Sequence, residues 1–351
     1  MISRRHIRMG WNLLKNTRFD SFFIRYLQNH YRWLKFNPHQ DLTTPYPTGL
    51  MLELGNRCNL HCIICPREYV YGKQMDQGFM PLDKAKAIID EIYPYLDSIG
   101  LTGLGETFLY PHFEEIVHYI KNKRKSIQIT ISTNANFVGF TEKIIPLLPY
   151  LDSVQFSVDG VGAIYENIRP NTDFSIIRDN ICAVVKAAKH TELMINTVIT
   201  KENYTDLTNV LRFADEVGIH YVNFNRINLA SIPEKRDEYT NFFTSEAYQE
   251  VVQQLNALKA EYPGLTFGGY RTDGTPGFQE CIFPWKHQYI TWDGYLVPCC
   301  AKPFPKELQF GNVFEEGVMN VLNGKAIQEF RRLWQKNITP DFCKYCNTIH
   351  L

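Results

Sequence analysis

Cys58, Cys62 and Cys65 form a C-x3-C-x2-C array. Three thiolates at this spacing can hold an iron–sulfur cluster and leave one iron without a protein ligand, open to a second molecule. A closed zinc site built from the same three cysteines and His61 is the competing use. Further along, 17 residues separate Cys281 from Cys299, and two separate Cys343 from Cys346. Four cysteines from two segments complete the ligation of one 4Fe–4S cluster, with Cys300 a substitute for Cys299; a four-cysteine zinc site is the alternative. Cys182 lies beside Ile181 in a helical pattern and suits a small core residue. Nine cysteines, an odd number clustered toward both ends, read poorly as a disulfide framework and better as metal ligation in a reducing cytoplasm.

The first array follows directly on an apolar strand, Leu50 to Gly55, and the chain then alternates strand and helix to residue 226. Further strands are expected at Ser98 to Gly103, Ile127 to Ile131, Val154 to Val158, Leu193 to Ile199 and Tyr221 to Asn225. Helical faces lie between them, such as Ala85, Ile88, Ile89 and Ile92, or Leu207, Val210, Leu211 and Ala214. Six βα-type strands predict an α/β fold, a parallel sheet or partial barrel, with its chemistry at the strand carboxyl ends. Gln155, Ser157, Asn196, Asn223 and Asn225 alternate with apolar neighbours, so one sheet face is expected to line a ligand-binding interior; a solvated face is the plainer alternative. After residue 235 the alternation stops. A helix capped by Ser245 leads to a Gly- and Cys-rich region whose hairpin turns at Asp293-Gly294. The expected division is a basic helical arm at 1–45, a barrel at 46–235, and a linker helix with a cluster-binding domain at 236–351.

Over 351 residues, 37 Lys and Arg balance 37 Asp and Glu, so no global field draws the chain to nucleic acid. The local exception is the arm, where Arg4, Arg5, Arg8, Lys15, Arg18, Arg25, Arg32 and Lys35 face only Asp20 and Asp41. Phe23, Tyr26, Leu27, Tyr31 and Leu34 fall on one helical face there. Packing on the main domain is the expected use of that face; peripheral contact with a partner or an anionic membrane is the alternative. No apolar run is long enough for a signal peptide or a membrane span, which points to a cytoplasmic protein.

The segment Gly55-Asn56-Arg57-Cys58-Asn59-Leu60-His61-Cys62-Ile63-Ile64-Cys65-Pro66 resembles the cluster loop of the radical S-adenosylmethionine (radical SAM) superfamily. Gly103-Leu104-Gly105-Glu106 resembles the family's G-G-E motif, which holds the methionine amino group; Leu104 replaces its first glycine, so Gly105 and Glu106 transfer. Ser132-Thr133-Asn134 resembles T-N-G, with Ala135 in place of the glycine. Ser157-Val158-Asp159-Gly160 resembles the S-x-D-G that approaches the ribose and methionine carboxylate, and Arg169 resembles that carboxylate's basic partner. Ile199 to Asn203 matches the adenine-contacting stretch only loosely. Cys281, Cys299, Cys343 and Cys346 resemble the twitch form of the SPASM domain, with one auxiliary cluster; the chain ends five residues after Cys346, so a second auxiliary cluster is not expected.

The resemblance implies a partial (β/α)6 TIM-like barrel with a C-terminal SPASM/twitch domain, two 4Fe–4S clusters and S-adenosylmethionine as cofactors. It also implies a flavodoxin- or ferredoxin-type electron donor. The implied chemistry is abstraction of a substrate hydrogen by a 5′-deoxyadenosyl radical, with the auxiliary cluster accepting a second electron, hence an oxidoreductase. The single-cluster arrangement resembles that of aminocyclitol and sugar alcohol dehydrogenases, and 45 leading residues are too few for a winged-helix peptide-recognition domain. A sugar, aminocyclitol or other small polyol is therefore the expected substrate, ahead of a peptide. Peptide modification or epimerisation is the alternative, and a non-catalytic zinc scaffold the distant one. No catalytic base stands out: Arg271, Asp273, Glu280, Asn223, Asn225 and Arg226 are the candidates near the pocket.

Overall fold

A computed structural model describes residues 21–270 and 281–346. Six parallel strands follow one another across a single sheet: β1 (Gly49–Leu52), β2 (Ser98–Gly100), β3 (Gln128–Thr133), β4 (Ser153–Ser157), β5 (Glu192–Ile199) and β6 (Tyr221–Arg226). Helices between them bury the apolar faces read from the sequence. Among them are α1 (Ser21–Lys35) ahead of β1, α2 (Leu82–Ile92), α3 (Phe113–Lys123), α4 (Phe140–Ile144), α5 (Phe174–Ala187) and α6 (Leu207–Val217). α2, for example, buries Ala85, Ile88, Ile89 and Ile92. Pro146 and Pro149 cannot continue an α-helix, so after α4 the chain runs as a 3-10 segment, Ile145–Tyr150, that still buries Leu147 and Leu148.

Alternation along the strands separates two faces. In β4, Val154 and Phe156 are fully buried while Gln155 and Ser157 are half-buried; in β6, Val222 and Phe224 are buried and Asn223 and Asn225 exposed. The apolar members pack under the helices, and the polar ones line the concave side.

The C-terminal third extends this sheet at both edges. After α7 (Arg236–Phe243) and α8 (Glu246–Glu261), β7 (Thr266–Gly268) adds to β6. On the other edge β8 (Gln288–Ile290) runs parallel to β1, and β9 (Leu296–Val297) turns back antiparallel on β8. The turn is the expected one, with Gly294 at φ +90°, where a side chain is strained. Ser245 caps α8, its hydroxyl accepting from Tyr248 N. Near the end, α9 (Lys325–Gln335) buries Arg331, whose guanidinium donates to Pro284 O and Leu42 O and so ties three segments together.

The arm departs from its expected face. Tyr26 is buried, but Leu27 and Tyr31 are about half exposed and Leu34 is 85% exposed. α1 docks through polar hooks: Tyr26 Oη donates to Asp97 at 2.5 Å, His30 Nε2 meets Asp97 at 3.0 Å, and Asn29 and Trp33 bond Tyr46. Arg4, Arg5, Arg8, Lys15 and Arg18 lie outside the described residues. No helix among the described residues is long and apolar enough to cross a membrane.

Burial pulls the His30 pKa down, but the hydrogen bond and charge of Asp97 outweigh it and leave the imidazole raised. A raised folded pKa contributes stability below the unfolded value of about 6.5 and loses it as pH rises through the folded value. Hydrogen-exchange protection of α1 is therefore expected to fall as pH rises above about 6.5, and His30→Gln is expected to flatten that dependence. An unchanged profile in the variant would show that His30 does not hold the arm.

Candidate active site

The three-cysteine loop leaves the end of β1 and winds back through tight turns, Cys65 N bonding Cys62 O and Glu68 N bonding Cys65 O. Cys62 is buried, and Cys58 and Cys65 are half-buried; all three are free thiols. Burial raises each thiol, Cys65 to about 12. Such thiols ionise only when a cation or metal takes up their charge. His61 takes no part. Its side chain is 72% exposed and its Nδ1 is held by Glu68 at 3.0 Å, so the zinc reading loses its fourth ligand.

The loop after β2 is clamped against this one. Glu106 N donates to Arg57 O at 2.9 Å, and a Cβ on Gly105 would lie 2.5 Å from Gly55 O, so only glycine permits the approach. The Glu106 carboxylate accepts from Asn134 N and Thr133 Oγ1, both at 2.8 Å, and from Phe108 N at 3.3 Å. Burial raises its pKa while these donors oppose the rise. A carboxylate offers about four acceptor sites, so three donors leave one for a ligand ammonium. Asn134 reaches the cysteine loop itself, its Nδ2 lying 2.9 Å from Asn59 Oδ1 and 3.8 Å from Cys58 Sγ. Ala135, where the family has glycine, sits at φ +51°, a left-handed conformation that costs an L-residue about 1–2 kcal/mol.

From β4 the two expected residues diverge. Ser157 is half-buried on the concave face. Asp159 is fully buried and faces Arg169, taking Nε at 3.0 Å and Nη2 at 2.5 Å on one oxygen and Val198 N at 2.7 Å on the other. The remaining guanidinium nitrogen, Nη1, lies 3.7 Å from Cys62 Sγ. Asp159 thus orients Arg169 toward the cysteine loop. The Thr200 to Asn203 turn is structural: Asn203 Nδ2 donates to Asp159 O and Val198 O.

Three residues not singled out from the sequence complete the surroundings. Arg67 Nη1 is buried without a hydrogen-bond partner, and the buried Tyr165 hydroxyl lies beside the Asn136 amide. Arg67 lowers the pKa of Cys58 and Cys65, and the Tyr165 ring lies 5.6 Å from the Arg169 guanidinium. An unsatisfied buried donor beside these thiols fits an anionic cluster and a polar ligand. Only Arg67 carried a sequence signal, one residue beyond Pro66.

Among the described residues, the concave face of β3 to β6 carries a row of amide and hydroxyl side chains. Asn223 and Asn225 both donate to Asn196 Oδ1, at 3.0 and 2.7 Å, and Ser132 Oγ meets Gln155 Oε1 at 3.3 Å. Burial lowers the pKa of Arg226, while Arg271, Asp273 and Glu280 lie outside the described residues.

Burial raises the Cys281 and Cys299 thiols, and their neighbours in the C-terminal set add to the rise, while among the described residues no three His, Cys, Asp or Glu side chains are grouped closely enough to hold a metal ion. The charge of Cys299 is felt with those of Cys300, Cys343 and Cys346, and that of Cys281 with Cys300 and Cys346. Cys299 is half-buried and Cys300 exposed. Asn228 Nδ2, just beyond β6, lies 3.8 Å from Cys346 Sγ, and the Arg236 guanidinium stacks 3.4 Å from the Tyr345 ring centre, which seats the set against the barrel. Cys182 is half-buried on α5 beside Ile181.

Comparison with known proteins decides the family. The model of the radical SAM superfamily matches residues 52–214, and that of the SPASM iron-sulfur cluster-binding domain matches residues 281–347. The chain belongs to the radical SAM superfamily. This radical SAM enzyme has the partial barrel of its family with a C-terminal SPASM domain, and its cofactors are S-adenosylmethionine and 4Fe–4S clusters.

Among its relatives is the tungsten-containing aldehyde ferredoxin oxidoreductase cofactor-modifying protein of Pyrococcus furiosus, 26% identical over 85% of this chain and 86% of that one. Another is the antilisterial bacteriocin subtilosin biosynthesis protein AlbA of Bacillus subtilis, 22% identical over 86% of this chain and 64% of AlbA. The fold resembles that of Streptococcus suis SuiB bound to precursor peptide SuiA, with TM-score 0.66 and 15% identity over 92% of this chain and 74% of that one. The expectation of a sugar or polyol ahead of a peptide is corrected by these relatives, which are named for bacteriocin biosynthesis and cofactor modification. That expectation rested on the number of auxiliary cysteines and on the short leading segment, and neither fixes the shape of the substrate.

Proposed function

We propose that this radical SAM enzyme oxidatively modifies a peptide, residues 46–235 forming the catalytic barrel and 236–351 the linker and auxiliary-cluster domain. Cys58, Cys62 and Cys65 are assigned to the cluster that binds S-adenosylmethionine, and Cys281, Cys299, Cys343 and Cys346 to an auxiliary cluster. When bound, these cofactors supply a 5′-deoxyadenosyl radical and a sink for the electron left on the substrate. The chain's own groups position and exclude. Gly105 lets the loop after β2 approach the cysteines, and Glu106 has an acceptor site for the methionine ammonium. Arg169, charged and held by Asp159, faces Cys62 and suits an anionic cluster or carboxylate. Ser157 offers a hydroxyl to a ribose. Oxygen-labile clusters and nine free thiols suit a cytoplasmic setting.

The observation that carries the peptide reading is the row of amide side chains, Asn196, Asn223, Asn225 and Gln155, on the concave face. Amide side chains both donate and accept, as the main chain of an extended peptide requires. The relation to AlbA supports the same reading. The reconstituted enzyme, incubated without oxygen with S-adenosylmethionine, dithionite and the short peptides encoded beside its gene, is expected to lower one peptide's mass by two hydrogens for each 5′-deoxyadenosine formed. Turnover of a polyol with every peptide left unchanged would defeat the proposal.

A further inference from the structure

Glu53, the residue after β1, is 0% exposed and accepts three hydrogen bonds, all from uncharged groups. Leu104 N reaches Oε1 at 2.8 Å, Tyr289 Oη reaches the same oxygen at 3.0 Å, and Trp292 N reaches Oε2 at 3.3 Å. The first donor belongs to the loop that continues into Gly105 and Glu106. The other two belong to the C-terminal hairpin, Tyr289 on β8 and Trp292 in its turn. One buried carboxylate therefore joins the cysteine-bearing strand, the loop after β2 and the auxiliary domain.

The packing around it agrees. A Cβ on Gly103 would lie 2.3 Å from Glu53 Cγ, so the loop rests directly on the Glu53 side chain. A Cβ on Gly78 would lie 2.3 Å from the Trp292 ring, and Gly78 N is bonded to Asn56 Oδ1 in the cysteine loop, giving the hairpin a second hold on the same region. All three donors point at the carboxylate and oppose the rise in its pKa that burial causes.

We propose that Glu53 is a positioning residue that sets the S-adenosylmethionine-binding loop according to the seating of the C-terminal hairpin, so that cofactor affinity depends on contacts made by the auxiliary domain. The inference rests on the assignment of Gly105 and Glu106 to the methionine end of the cofactor. Tyr289, whose hydroxyl also feels the neighbouring Cys299 and Cys300, and Trp292 reach the loop through Glu53.

The test uses the full chain with both clusters reconstituted and measures equilibrium binding of S-adenosylmethionine, the electron paramagnetic resonance signal of the reduced cluster with and without it, and iron content. Glu53→Gln keeps Oε1 but turns an NH2 group toward Trp292 N–H. It is expected to weaken binding roughly tenfold, the equivalent of one buried hydrogen bond lost. Tyr289→Phe is expected to weaken it severalfold at unchanged iron content, and the double variant by less than the product of the two, as for residues that share a partner. Affinity and signal within twofold of the parent in both variants, with only the melting temperature lowered, would reduce Glu53 to a structural strap and overturn the proposal. If Glu53→Gln does not fold, Tyr289→Phe decides alone. Failure of the unsubstituted protein to bind S-adenosylmethionine would overturn the cofactor assignment instead.

Discussion

Replacing Cys58, Cys62 and Cys65 together by alanine is expected to lower the iron content from about eight to about four atoms per chain and to abolish reductive cleavage of S-adenosylmethionine. The remaining iron is expected to stay because the second set of thiols is held independently. Asn228 and Arg236 seat Cys346 and Tyr345 against the barrel, and Lys302, paired with Glu307, donates to Phe342 O next to Cys343. None of these contacts involves the loop after β1. Loss of the thiols also relieves crowding of buried groups that ionise poorly, so the apoprotein is expected to fold. Iron analysis and 5′-deoxyadenosine formation with dithionite check the two halves of the prediction. Cleavage retained in the triple variant would remove the catalytic assignment, and loss of all iron would show that the sets do not load separately.

Arg169→Met is expected to be the most destabilising single substitution in the site. The Asp159 side chain is 1% and that of Arg169 9% exposed, and Arg169 supplies two of the three donors to the carboxylate. Removing the cation leaves Asp159 buried with Val198 N alone, a loss of about 3–5 kcal/mol for a broken buried pair. Cys62 loses the guanidinium nearest its sulfur as well, so cluster retention is expected to fall with stability. Adding Asp159→Asn to Arg169→Met removes the stranded charge and is expected to recover part of the stability but none of the S-adenosylmethionine cleavage. Denaturant melts of the single and double variants decide it. Equal losses in the two would mean that no charge was stranded and that Asp159 and Arg169 are not coupled.

The alternation of strand and helix from residue 50 to 226 was readable because each element buries a periodic apolar face, and β1 to β6 fall where those faces predict. The short strand β7 left no such trace; three residues with one buried side chain carry too little pattern. The face of α1 was misread for a related reason. Hydropathy grouped Leu27, Tyr31 and Leu34 with Tyr26, whereas docking runs through directional bonds of Tyr26, Asn29, His30 and Trp33 to partners 13 to 71 residues away. In the site, cysteine spacing exposed the metal chemistry at once. Spacing cannot say which polar residues turn toward the thiols and which turn behind them. Asp159 reads as a ligand-facing carboxylate, yet it stands behind Arg169, and Tyr165 and Glu53 are placed by long-range packing alone.

The pairing of β1 with β8 also bears on how the protein is made. Leu50 pairs with Gln288, a separation of 288 − 50 = 238 residues, which a ribosome covers in roughly 10 to 50 s. Until then the strand that carries the three-cysteine loop has one unpaired edge, and Glu53 lacks two of its three donors. During synthesis that region therefore stays open on the side the hairpin later covers, and each molecule reaches its closed form only after β8 and its turn have been made.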